Sequence, residues 1–138
     1  ETFPVASFAA IAWLKLAAWH EKRSRTKDLA DIWFIIDNYL EFVSEDRIYA
    51  EDGIDRDIFD DDQFSAIRAG ARLLGRDMAR QGGRMARELV SRLMDGHGEP
   101  CDALVHAMRT VVPSYVAVSD IIDMFAVLWS EVGMPGGE

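Results

Sequence analysis

Apolar residues recur every three to four positions along most of the chain, and no stretch sustains the strict alternation of a half-buried strand. That spacing confines the fold to helices packed on helices. It predicts a first helix over about Ser7–Arg23, with Ser7 as its N-cap. A second covers about Lys27–Phe42, where Leu29, Ile32, Trp33, Ile36 and Leu40 share one face. The link Ser24-Arg25-Thr26 is short enough to fold the two into an antiparallel helical hairpin. A short helix is expected at Ser44–Ala50, then an acidic, Gly-containing connection over Glu51–Asp62. The third long helix covers about Asp61–Gln81 and ends at Gly82-Gly83. Helices over Arg84–Met94, from Pro100 to before Pro113, and over Ser119–Val132 complete an all-α, irregular bundle of about six helices.

A chain of 138 residues, 49% hydrophobic, is long enough for one domain with its own core. No apolar run reaches the roughly 18 residues of a membrane span, and no signal peptide is visible. The single cysteine, Cys101, excludes an internal disulfide, and the expected compartment is a reducing cytoplasm. The chain starts at Glu1, and Pro4 keeps residues 1–6 out of a helix in this reading. Residues 1–6 are accordingly expected to be an extended stub from a missing upstream domain, and residues 7–138 a C-terminal helical domain.

The formal charge of −9 is unevenly spread. Residues 41–62 hold ten acids against two bases, whereas residues 63–94 hold two acids against seven arginines. A uniformly acidic chain would argue against binding a polyanion; a local basic segment keeps that function open.

The first hairpin carries polar residues where packing alone would not put them. At about 100° per residue, Lys15 falls among Phe8, Ile11, Ala12 and Trp19. An unpaired ammonium there is costly to bury. It needs a carboxylate, an anionic ligand, or a stem that snorkels to solvent. On the second helix Asp28 lies between Ile32, Ile35 and Tyr39, with Asp31 at the edge of that face. Carboxylates at i and i+3 can hold a divalent metal or orient a nucleophile, and acids in a first turn also suit the helix dipole. Lys15 and Asp28 could line two ends of a phosphate-holding pocket, or Lys15 and Asp31 could form a plain ion pair. His20, Lys22, Arg23, Arg25 and Lys27 make the tip cationic, as solvated loop charge or as an attraction for an anionic substrate.

The run Val5-Ala6-Ser7, Leu14-Lys15-Leu16, Arg23 and Lys27-Asp28-Leu29-Ala30-Asp31-Ile32 resembles the C-terminal half of AbiEii/AbiGii-type nucleotidyltransferases. Gly70-Ala71-Arg72-Leu73-Leu74-Gly75-Arg76-Asp77 resembles a later stretch of its bacterial members. The resemblance implies transfer of a nucleoside monophosphate from an NTP to an acceptor. It implies Lys15, Arg23 and Lys27 as nucleotide-binding residues, Asp28 as the late acidic residue of the active site, and Asp31 as the competing assignment. Mg2+ and the NTP would bind only together with an N-terminal α/β domain carrying a Gly-Ser turn and paired acids. That motif is absent from this sequence, so the chain is expected to be inactive alone. The partners implied are the N-terminal domain, an antitoxin-like regulator and an RNA acceptor, with no membrane. An apolar patch where the N-terminal domain docks could also make a homo-oligomer.

Arg68, Arg72, Arg76 and Arg80 recur every four residues beside the apolar seam of the third long helix. Such a stripe suits a phosphate backbone, as in an RNA end. It equally suits intramolecular pairing with the acidic segment 41–62, and no aromatic residues interleave with it. The rival functions are therefore a non-catalytic protein-binding module and an RNA-contacting domain. Gly70 and Gly75 mark close helix contacts rather than a phosphate loop. Asp60-Asp61-Asp62 lacks the spacing of a calcium loop. His97 and His106 have no metal-ligand company, and Cys101 has no evident base. Apart from the Asp28 and Asp31 pair, no residue set reads as a metal site.

Overall fold

The computed structural model describes residues 5–42 and 66–133. Five helices form them: α1 (Val5–Glu21), α2 (Thr26–Phe42), α3 (Ala66–Leu93), α4 (Asp102–Arg109) and α5 (Val118–Gly133). Among the described residues there is no strand; a single antiparallel bridge joins Met94 to Pro100. The fold is all-helical, as the 3.6-residue spacing predicts.

The boundaries differ from expectation where local chemistry outweighs periodicity. α1 begins at Val5, so Ser7 lies inside the first turn and is not its N-cap. Val5 and Ala6, expected in the extended stub, belong to this helix. The expected break between the third and fourth long helices is present: α3 is two helical stretches that meet at a kink, where Gly83 has a non-helical backbone (φ 50°, ψ −125°). Glycine takes this positive φ without the Cβ clash other residues meet. The chain therefore turns there and continues as helix. α4 starts two residues after Pro100, because Pro100 is used in the bridge to Met94 and Cys101 is extended (φ −65°, ψ 156°). The expected helix at Ser44–Ala50 and the acidic connection at Glu51–Asp62 lie outside the described residues.

α3 is the central element and packs against α1, α2 and α5. One core runs through all of them, including Leu16 and Trp19 from α1, Leu29, Ile32 and Ile36 from α2, Leu73, Leu74 and Met78 from α3, and Phe125, Leu128 and Trp129 from α5. Two glycines bring α3 close to its neighbours. A Cβ on Gly70 would stand 2.9 Å from the Ile36 carbonyl oxygen, and one on Gly75 2.7 Å from that of Leu128. Both are close-contact positions, as their place inside a helix predicts. α1 and α2 meet at both ends of their contact. Phe8 stacks on Phe42 with ring centroids 4.4 Å apart, and Lys15 reaches the first turns of α2.

Candidate functional site

Asp28 is the third residue of α2 and is only 4% exposed. The amphipathic register of α2 turns it inward with Ile32, Ile35 and Tyr39, all buried. Its charge is met from two directions. Arg25 Nε donates to Oδ2 at 2.6 Å, and Lys15 Nζ donates to Oδ1 at 3.4 Å. Asp31, one turn further and 39% exposed at its side chain, accepts Lys15 Nζ at 2.8 Å. Two cations and two carboxylates thus form a neutral cluster that is dry at Asp28 and wet at Asp31 and Lys15.

The pocket with Lys15 and Asp28 at opposite ends is not present: the two touch. The alternative, an ion pair between Lys15 and Asp31, is present at 2.8 Å. The surroundings of Lys15 also differ from the helical-wheel expectation. Ala12 and Trp19 are buried and Phe8 partly so, but Ile11 is exposed. α1 is apolar on most sides, so a wheel cannot select its inner face.

The cluster shifts the titration of its members. The Arg25 hydrogen bond, helped by Lys15, holds the Asp28 carboxyl below the usual carboxylate range, against the opposing effect of burial. The Asp31 hydrogen bond raises the Lys15 ammonium above the ordinary lysine value; desolvation opposes it and Asp28 adds to it. A divalent metal does not fit between Asp28 and Asp31 in this arrangement, because Lys15 already bridges them and Arg25 neutralises the inner one.

The other candidate residues of α1, α2 and their link lie apart from this cluster. Arg23 is exposed and folds back on α1: its guanidinium sits 4.3 Å from the Trp19 ring centroid and contacts His20. Lys27 is exposed beside Asp28. Arg25 is the member that sequence reasoning counted only as loop charge; its signal was the i,i+3 spacing to Asp28.

The arginine stripe is engaged within the chain, and three of its four arginines have described partners distant in sequence. Arg68 pairs with Asp123. Arg72 and Arg76 both reach Glu131, at 2.7 and 3.0 Å. Arg80, nearer home, pairs with Asp77 at 3.1 Å. Asp77, 6% exposed, also accepts the buried Tyr39 hydroxyl at 2.6 Å and so ties α3 to α2. Sequence reasoning missed it, although it stands beside Met78 on the buried face. A cavity of about 180 Å³ opens between the start of α3 and the start of α5, lined by Ile67, Arg68, Tyr115, Asp120 and Met124 among others. It shares no residue with the Lys15 cluster. Among the described residues, no group of three or more His, Cys, Asp or Glu side chains is placed to hold a metal ion.

A family model described as the nucleotidyl transferase AbiEii toxin of a type IV toxin–antitoxin system matches residues 1–110. The matched stretch takes in the Lys15 cluster and all of α3, and stops before α5. No curated protein and no solved structure matches the chain.

Proposed function

This chain belongs to the AbiEii nucleotidyl transferase toxin family, and from that membership we propose that its α1–α2 cluster binds the polyphosphate of an NTP during transfer of the nucleoside monophosphate to an acceptor. The observation that carries the reading is the Lys15 ammonium, partly exposed, held by Asp31 at 2.8 Å and more loosely at 3.4 Å by the buried Asp28, which has Arg25 as a closer cation.

In such a transfer an acceptor nucleophile bonds to the α-phosphorus while the bond to the departing pyrophosphate breaks. Negative charge grows on the leaving group, and a fixed ammonium stabilises it there. Lys15 takes that role, and Arg23 and Lys27 extend the cationic surface along the turn. Asp28 is a positioning residue in this reading: it acts through the two cations it orients. The acids that bind Mg2+ are expected on an α/β domain of the same protein, and residues 1–138 are expected to be inactive without it. The Lys15–Asp31 and Phe8–Phe42 contacts support reading α1 and α2 as an antiparallel hairpin. An NTP substrate suits the cytoplasm. None of the described helices is long and apolar enough to cross a membrane, and the family's type IV designation implies an antitoxin partner.

The test is transfer of label from an α-labelled NTP by protein that includes the α/β domain. Lys15→Ala and Asp28→Ala should each lower it about a hundredfold; wild-type transfer in both would refute the assignment. RNA contact along Arg68, Arg72, Arg76 and Arg80 has less support, because Asp123, Glu131 and Asp77 already engage those side chains.

A further inference from the structure

Lys15 stands between two carboxylates of different kinds. Asp28 is buried and holds Arg25 at 2.6 Å, with Lys15 further off at 3.4 Å. Asp31 is partly exposed and holds Lys15 at 2.8 Å; among the described residues it pairs with no other cation. An exposed pair is weak and exchanges readily with other anions, whereas a buried carboxylate stripped of its cations is expensive. An anion arriving at Lys15 therefore meets resistance from Asp31 first. It can displace Asp31 into water at little cost, while Arg25 keeps Asp28 neutralised throughout the exchange.

We propose that Asp31 is a built-in competitor of the polyphosphate: it holds Lys15 when no anion is bound and yields it when one arrives, with Arg25 anchoring Asp28 during the swap. This rests on the reading of Lys15 as a phosphate ligand. It gives Asp31 a role opposite to that of an acid contacting the substrate. Removing its charge strengthens binding, whereas removing a substrate contact would weaken it. The competing contact also keeps Lys15 extended at the surface, so the ammonium is prepositioned and not folded onto its own helix.

The experiment is calorimetric titration of protein that includes the α/β domain with inorganic tripolyphosphate, which carries the phosphates without base or ribose. It is run at low ionic strength, with the Lys15 ammonium monitored by NMR. Asp31→Asn should tighten binding about two- to fivefold, the worth of an exposed pair, and the Lys15 signal should move on titration. Asp37→Asn removes the same charge from an exposed position on α2 that does not contact Lys15, and should change affinity by less than half as much. Lys15→Met should weaken binding and abolish the gain from Asp31→Asn. Asp31→Ser serves as a second variant should the amide perturb folding. If Asp31→Asn binds no better than Asp37→Asn while Lys15→Met still weakens binding, the competitor role is overturned and the phosphate reading stands. If Lys15→Met binds like wild type, or no form binds, the phosphate reading falls and takes this inference with it.

Discussion

A carboxylate as buried as Asp28 stays ionised only while its cations stay in place, and this couples charge to folding. Its carboxyl titrates below the ordinary value of 3.8 in the folded chain, so the unfolded state takes up the proton first. The stability it contributes is complete above about pH 4 and is lost as the pH falls through the lower folded value. Lys15 works at the other end. Raised above 10.5, its contribution is complete below that value and disappears as the pH climbs through the folded one. Denaturant unfolding across pH should therefore show Asp28→Asn with a shallower acid limb than wild type and Lys15→Met with a shallower alkaline limb; parallel profiles would mean the pairs carry no folding energy. The inward direction of Asp28 is legible in the sequence because α2 has one clean apolar face. The environment of Lys15 is not, because α1 is apolar nearly all round. Arg25 escapes notice because a turn has no period to read.

Element by element, the spacing of helices depends on where side chains are missing. A Cβ on Gly75 would fall 2.7 Å from the Leu128 oxygen and 3.0 Å from the Glu131 Cβ. Both sit on α5, and the first is backbone, which cannot rotate away. Alanine is worth about 1 kcal/mol over glycine inside a helix, but overpacking costs about 1–3 kcal/mol, and here it also pushes on the Glu131 that Arg72 and Arg76 share. Gly75→Ala should lower the thermal midpoint, while Gly96→Ala, whose Cβ would meet nothing within 4 Å, should not lower it comparably. Equal melting curves would show that α3 and α5 can separate freely. The sequence marks Gly82-Gly83 as an interruption, and the bend at Gly83 is there. The residues beyond that bend form a second helical stretch, as the sequence predicts, and Ala86, Val90 and Leu93 enter the same core.

At the scale of the whole molecule, three arginines of α3 meet carboxylates that only the fold brings to them. The arginines of α3 come directly after the acidic segment in sequence, yet the described contacts take Arg68, Arg72 and Arg76 to Asp123 and Glu131, 55–59 residues away. Most of the acidic segment lies outside the described residues, so the contacts to α5 stand beside the pairing that sequence adjacency suggests. The consequence for polyanions is specific. Glu131 is only 11% exposed at its side chain, and Arg72 and Arg76 are 16% and 19% exposed, so a phosphate reaching them must first break a partly buried pair. Lys22 and Lys27 at the α1–α2 turn are exposed and free of that cost. Binding of a fluorescent single-stranded RNA over a salt series separates the two surfaces. Each lost phosphate contact reduces the slope of log affinity against log salt by about 0.7. Lys22→Ala with Lys27→Ala should flatten that slope. Arg72→Ala with Arg76→Ala should leave it unchanged and instead lower the melting temperature, since Glu131 is left without its cations. A flattened slope in the arginine variant, with its melting temperature intact, would move the polyanion surface to α3.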